Sequence, residues 1–368
     1  MINGKSILKK LTPYQQGMQT EEVKEKYNLD KIIKLASNEN PYGYSAKVKT
    51  IFTEMENEFN IYPDGYTTEL RTAIAHKLNV SKEQIIFGGG SDEIIQMISR
   101  AFLYPGVNTV MATPTFPQYK HNAMVEGASY KEIPTIEGYH DLDGMLEAID
   151  ENTNVVWLCT PNNPTGAHIP KADLYDFMDK CPKHVLVVLD EAYYEYMDPE
   201  LDHHATAHLS EYPNLILLRT FSKAYGLAGL RIGYGVANEN LISKLEVVRG
   251  PFNTATLAQK AALIALDDDQ FIDETVQKNQ TVKQDLQQFL TNLGWQYYDS
   301  QTNFLLISTP INGKDAFQFL LENGFIVRPV SVPGNPNLIR VTIGTDKDMN
   351  LLKSALQDLQ LHTSKEIQ

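Results

Sequence analysis

Six short apolar runs, each followed by a polar, glycine or proline turn, constrain this chain more than any other feature. They are Gln84–Phe87, Asn108–Ala112, Val155–Cys159, Val185–Leu189, Asn214–Leu218 and Leu230–Val236. Each is continuous rather than strictly alternating, which suits strands covered on both faces. After the first run, Asp92–Leu103 sets Ile94, Ile95, Ile98, Ala101 and Phe102 at helical spacing. Strands interleaved with helices predict an α/β fold built on a mainly parallel sheet. Beyond Glu239 the pattern changes. Leu241–Val248, Leu257–Leu266 and Phe271–Leu293 read as helices, and two short strands near Phe304–Ile307 and Leu338–Ile343 flank a helix at Lys314–Asn323. That pattern predicts a smaller α+β domain.

The expected division is a large domain over 36–248 and a small domain over 249–368. The polar, helix-prone arm 1–35 is expected to pack on the small domain or on a partner. At 368 residues the chain has the length of about two domains. No internal repeat, low-complexity tract or long linker interrupts it. Lys and Arg number 32 against 46 Asp and Glu, a net charge of −14. So acidic a chain is unsuited to broad electrostatic binding of nucleic acid or anionic membrane, and an anionic substrate must be met by a local cluster of cations. Cys159 and Cys181 are the only cysteines and form no CxxC pair, so neither a disulfide framework nor a thiolate metal site is expected. Both are expected to pack as small apolar side chains. No run of 18 apolar residues and no signal-peptide core is present, and a cytoplasmic enzyme is the natural class.

In an open parallel sheet, ligands gather at the carboxyl ends of the strands. The chemically suggestive residues fall there. Lys223 follows Asn214–Leu218, and a desolvated lysine amine can lose its proton and form an imine. Asp190 ends a buried run and needs a cationic or hydrogen-bonding partner; it could equally cap a helical turn at Glu191–Tyr196. Asn163 lies in the sharp turn Pro161-Asn162-Asn163-Pro164-Thr165-Gly166. Gly88-Gly89-Gly90-Ser91-Asp92 opens a helix, either as a phosphate cradle or as a plain cap; it matches neither GxGxxG nor a Walker A loop. Arg231, Arg328 and Arg340 each enter apolar stretches and call for partners, the last two as candidate receptors of an anionic group. His203, His204 and His208 lack the glutamate of a zinc helix and are expected in a surface loop.

Taken together, Ser-Lys-Ala-Tyr-Gly-Leu-Ala-Gly-Leu-Arg (222–231), Asn-Asn-Pro-Thr-Gly (162–166) and Asp-Glu-Ala-Tyr (190–193) resemble the fold type I pyridoxal-phosphate aminotransferases, over nearly the whole chain and in the same order. The resemblance implies a large domain with a mainly parallel seven-stranded sheet that binds pyridoxal 5'-phosphate, a smaller α+β domain, and a homodimer. It implies that Lys223 holds the cofactor's aldehyde and shuttles the proton. Asp190 would pair with the pyridine nitrogen, while Asn163 and Tyr193 would bond the ring oxygen. Gly90, Ser91, Asp92, Thr220, Ser222 and Arg231 would lie around the phosphate. Phe116 would stack on the ring where many relatives have Tyr, and Tyr62 would reach the phosphate of a neighbouring subunit.

The ends of the chain, Leu11-Thr12-Pro13-Tyr14, Lys34–Gly43, Val327-Arg328-Pro329 and Ile339–Thr345, are similar to the histidinol-phosphate aminotransferases. That likeness implies Tyr14, Asn40, Tyr62, Arg328 and Arg340 around the substrate. The substrates would be histidinol phosphate in one half-reaction and glutamate or 2-oxoglutarate in the other. Gln15-Gln16-Gly17-Met18-Gln19 departs from the Pro-Gly-Lys-Pro type of stretch found in many relatives. The alternatives are an aromatic amino-acid aminotransferase and, more remotely, a decarboxylase or carbon–sulfur lyase using the same cofactor. A non-catalytic cofactor-binding regulator would need a DNA-binding extension, for which so acidic a chain is poorly suited.

Overall fold

Alternating strand and helix signals become two sheets of different character and a two-stranded pair. The computed structural model describes residues 4–9, 11–13, 18–51, 60–332 and 334–366, with side chains through 362. Strand β1 (Ile33–Lys34) is followed by β2 (Ile85–Gly88), β3 (Asn108–Thr113), β4 (Ser129–Pro134), β5 (Thr153–Cys159), β6 (Leu186–Asp190), β7 (Leu215–Thr220) and β8 (Gly233–Ala237). The last seven form one sheet in the order β2-β8-β7-β6-β5-β3-β4. β7, β6, β5, β3 and β4 run parallel to one another, and β8 is antiparallel to both its neighbours, β2 and β7.

The continuous apolar runs are explained by burial on two faces. In β5, β6 and β7 every second residue enters a different core. Val156, Leu158, Val187, Leu189, Leu215 and Leu217 pack on one side. Val155, Trp157, Leu186, Val188, Ile216 and Leu218 pack on the other, with Ile94, Ile95 and Ile98 of helix Ser91–Phe102. Both cysteines are buried in these cores, as expected.

β4 was not legible in the sequence. It is an edge strand whose six residues are all exposed or half-buried, so it lacks an apolar run. The last run also starts later than expected, at Gly233 instead of Leu230. Ala228–Leu230 forms a 3₁₀ turn and Arg231 takes a left-handed φ of 55°, which no strand tolerates.

The remaining strands, β9 (Phe304–Ser308), β10 (Phe325–Ile326), β11 (Arg328–Val332) and β12 (Asn335–Thr342), lie towards the end of the chain. β11, β12 and β9 form an antiparallel sheet, and β10 pairs in parallel with β1. A third core joins Ile33 and Leu35 to Leu286, Leu305, Ile339 and Leu356, so chain beginning and chain end share one apolar centre. Val23, on helix Thr20–Tyr27, packs against Ala36, Leu321 and Ile326. Among the described residues no helix is long and apolar enough to cross a membrane.

Candidate active site

Strands β2, β3, β5, β6 and β7 end along one edge of the large sheet, and a cavity of about 690 Å³ opens there. It is lined by Gly90, Ser91, Asp92, Phe116, Asn163, Asp190, Tyr193, Thr220, Ser222, Lys223 and Arg231, and, from the three-stranded sheet, by Arg328 and Arg340. Residues scattered over the sequence are thus brought into one site between the two sheets.

Asp190 is the last residue of β6 and is 3% exposed. Its Oδ2 accepts the Tyr119 hydroxyl at 2.6 Å and its Oδ1 accepts the Ala192 N–H at 3.1 Å. Burial pushes the carboxyl up to about 6, and these two donors hold it down from higher values. Tyr119 is itself buried, stacked on Trp157 with centroids 4.7 Å apart and edge-on to Phe116. Burial and the neighbouring Asp190 charge raise its phenol, which keeps it a donor.

Lys223 lies in the turn after β7. Its Nζ donates to the Ser37 carbonyl at 3.3 Å and stands 5.5 Å from the Tyr193 ring centroid. Burial, then the Arg340 charge, lowers the amine to about 8. An amine so placed is partly neutral near pH 7 and can act as a nucleophile.

An anion cradle lies a few residues away. Gly90 caps helix Ser91–Phe102 with φ 84°, and Arg231 reaches over it. Arg231 donates to Gly89 O at 3.0 Å and to Ser222 Oγ at 3.2 Å, and stands 3.7 Å from Asp92. A Cβ on Gly90 would lie 2.6 Å from the Arg231 guanidinium, so the glycine is required by this approach. A helix N-terminus flanked by a hydroxyl and a guanidinium is suited to a phosphate dianion.

On the opposite wall Arg328 and Arg340 are cross-strand partners on β11 and β12. Like charges directly opposite on a sheet repel, and an anion held between them would relieve that cost. Arg340 also donates to Asn163 Oδ1 at 2.6 Å and to Ala36 O at 2.7 Å.

Two candidates lie outside the cavity. Asn40 donates to the Ala224 carbonyl at 2.8 Å and accepts the Tyr42 N–H, so it braces the Lys223 turn from outside. Tyr62 is 78% exposed and stacks on Phe252 at 4.7 Å. Tyr14 lies outside the described residues, as does Gln15–Gly17.

The histidine stretch is corrected. His204 is exposed, but His203 is fully buried, with Nε2 against the Ile169 carbonyl at 2.7 Å and Nδ1 3.6 Å from Glu191. Glu191 in turn accepts from Arg219 Nε at 2.9 Å. This buried ionic group fixes the turn after Asp190 from behind. Spacing alone could not reveal it, because its partners lie on three separate segments.

Sequence reasoning also missed Tyr119 and Asn38. Tyr119 reads as one more apolar position of its helix. Asn38 donates from Nδ2 to the Tyr193 hydroxyl at 2.8 Å. The only signal for either was proximity to a recognised motif.

Comparison with known proteins agrees with this geometry. The profile of the family described as Aminotransferase class I and II matches residues 30–356. The chain is 57% identical over 357 residues to histidinol-phosphate aminotransferase 2 of Oceanobacillus iheyensis, covering 97% of this chain and 98% of that one. It is 52% identical to the histidinol-phosphate aminotransferase of Bacillus subtilis (strain 168), over 96% of this chain and 99% of that one. Its fold superposes on the crystal structure of histidinol-phosphate aminotransferase from Sinorhizobium meliloti in complex with pyridoxal-5'-phosphate with a TM-score of 0.92, at 26% identity and 99% coverage of both chains. The chain belongs to the class I and II aminotransferase family.

Proposed function

We propose that the protein catalyses pyridoxal-phosphate-dependent transamination of L-histidinol phosphate with 2-oxoglutarate, giving imidazole acetol phosphate and L-glutamate. The observation that carries the reading is the facing pair Arg328 and Arg340, set in one cavity with the Lys223 amine and the buried Asp190 carboxylate. Near-full-length relatives at 50% identity and above, all named for this activity, support it over an aromatic amino-acid aminotransferase.

The residues present fit the cofactor. The buried Asp190 carboxylate, already held by two hydrogen-bond donors, would have its charge compensated by a cation such as a protonated pyridine nitrogen. The Gly90–Ser91 cradle with Ser222, Thr220 and Arg231 suits a phosphate, and the Phe116 ring borders the space between. Bound pyridoxal phosphate supplies an electron sink for the pair left when the substrate's Cα–H bond breaks.

The chain's own groups do the rest. Lys223 Nζ, with its lowered basicity, would hold the cofactor's aldehyde and serve as the base that takes and returns the substrate's Cα proton. Asp190 would face the ring nitrogen and keep it protonated. Asn163 and Tyr193 would donate to the ring oxygen. Arg328 and Arg340 bind the phosphate of one substrate and the carboxylates of the other in alternate half-reactions.

The same reading takes the large domain as 36–248 and the small domain as 249–368, with the arm 1–35 on the small domain or a partner; near the arm's start, Lys5 also donates to the Val125 carbonyl at 3.0 Å and pairs with Glu126 on the large domain. It also takes a homodimer in which the exposed Tyr62 serves the neighbouring site, in the cytoplasm.

The test is kcat/KM of the purified holoenzyme with 2-oxoglutarate as acceptor. Histidinol phosphate is expected to exceed phenylalanine by at least about 100-fold, the scale of a lost charged contact. A preference for phenylalanine would overturn the substrate assignment and favour the aromatic enzyme.

A further inference from the structure

Asn38 is 1% exposed and takes a left-handed φ of 55°, a conformation that Asn adopts more readily than most residues. Its environment fixes the direction of every hydrogen bond it makes. The backbone N–H of Asn38 donates to Thr342 Oγ1 at 2.9 Å. Thr342 therefore turns its own hydrogen elsewhere, and Asn38 Oδ1 lies 3.0 Å away to accept it. With Oδ1 engaged, the amide cannot flip, and Nδ2 faces the Tyr193 oxygen at 2.8 Å. Asn303 holds the Asn38 carbonyl at 3.0 Å and completes the clamp.

A phenol oxygen that accepts from an amide N–H keeps its own hydrogen for another acceptor. Among the described residues Tyr193 makes no second side-chain hydrogen bond, and its ring borders the cavity. We propose that Thr342 and Asn38 form a positioning relay that turns the Tyr193 hydroxyl into an obligatory donor to the ring oxygen of the bound cofactor. This rests on the reading that Tyr193 faces that oxygen. Thr342 ends β12, two residues after Arg340, so one strand of the small sheet delivers both the anion-binding arginine and the relay.

A donor at the ring oxygen favours its anionic form and lowers the pH at which the enzyme-bound chromophore loses its proton. The charged and titratable groups that face Tyr193 are Arg340, Cys159, Asp190, Tyr196 and Lys223; none is altered by the variants below, and Asn38→Asp alone adds a carboxylate, so the uncharged Thr342 pair decides the relay.

The test is the pH midpoint of the visible absorbance change of the holoenzyme, with cofactor stoichiometry measured in parallel, for wild type, Tyr193→Phe, Asn38→Asp, Thr342→Val and Thr342→Ser. Asn38→Asp keeps the bonds to Thr342 but presents an acceptor to Tyr193, which draws the phenol hydrogen out of the cavity. Thr342→Val removes the hydroxyl that sets the amide, and Thr342→Ser restores it. Tyr193→Phe, Asn38→Asp and Thr342→Val are expected to move the midpoint up by about one pH unit, and Thr342→Ser to leave it at the wild-type value. A shift in Tyr193→Phe with none in Thr342→Val would overturn the relay. No shift in Tyr193→Phe would overturn the placing of Tyr193, and the relay with it.

Discussion

The Tyr119 hydroxyl donates to the Asp190 carboxylate at 2.6 Å, and both groups are shut away from water. Replacing Tyr119 by Phe leaves the carboxylate with the Ala192 N–H alone. Loss of a hydrogen bond to a buried charge costs about 1–3 kcal/mol. The variant should unfold at lower urea in its cofactor-free form, and its Asp190 should titrate above the wild-type value of about 6.

Asp190 also imposes a pH dependence on the apoprotein. Its folded-state pKa lies above the unfolded value, so between pH about 4 and about 6 the folded state keeps a proton that the unfolded chain gives up. Stability from this group therefore falls as pH rises across that window, by about 3 kcal/mol, and is level above it. Asp190→Asn should flatten this part of the apoprotein's urea-denaturation profile, while binding the cofactor poorly.

Lys223→Ala should lower turnover by more than about 10⁴-fold, because it removes both nucleophile and proton carrier. In the wild-type apoenzyme the amine titrates near 8. Its trapping by a small aldehyde and a hydride donor, followed by peptide mass mapping, should rise with pH through that value and then level off. Arg340→Gln should move the midpoint up, since the guanidinium charge is one cause of the lowering.

Gly90→Ala should weaken the phosphate cradle. The position has φ 84°, and the new methyl would meet the Arg231 guanidinium at 2.6 Å. Displacement of the arginine should raise the Kd for pyridoxal phosphate by tenfold or more, on the order of one lost charge-assisted bond. Affinity for pyridoxal, which has no phosphate, should change little. Fluorescence titration of the apoenzyme separates the two.

The buried pair Arg219 and Glu191 gives a stability test. Arg219→Met leaves the buried Glu191 carboxylate without its guanidinium, with only His203 at 3.6 Å beside it, a loss of about 3–5 kcal/mol. The double variant Arg219→Met with Glu191→Gln should lose less than the single one in urea denaturation, since no bare charge is left behind.

Much of the large sheet could be read from the chain because burial on both faces writes itself as unbroken apolar runs. β5, β6 and β7 are such runs. β4 could not be read, because an edge strand with one wet face carries Ser, Tyr, Lys and Glu. At the site, Lys223, Asp190 and Arg231 were legible because each stands at the end or entry of an apolar run, and Asn163 because two prolines and a glycine force a sharp turn around it. Tyr119, Asn38, Thr342 and buried His203 were not. Each is an ordinary residue in its own segment and acquires meaning only from a partner far along the sequence, such as Asn38 with Thr342 across 304 positions.

The reversed direction of β8 has a geometric consequence for what the site can measure. Because β8 runs against β7, the segment joining them starts and finishes at the same edge of the sheet, and its ends are pinned together by the Phe221 N–H on the Ile232 carbonyl at 3.1 Å. Lys223 stands near one foot of this arch and Arg231 near the other. The backbone positions that carry amine and guanidinium are thus spaced by one continuous piece of chain, a gauge for the ligand that owes nothing to the smaller sheet bearing Arg328 and Arg340.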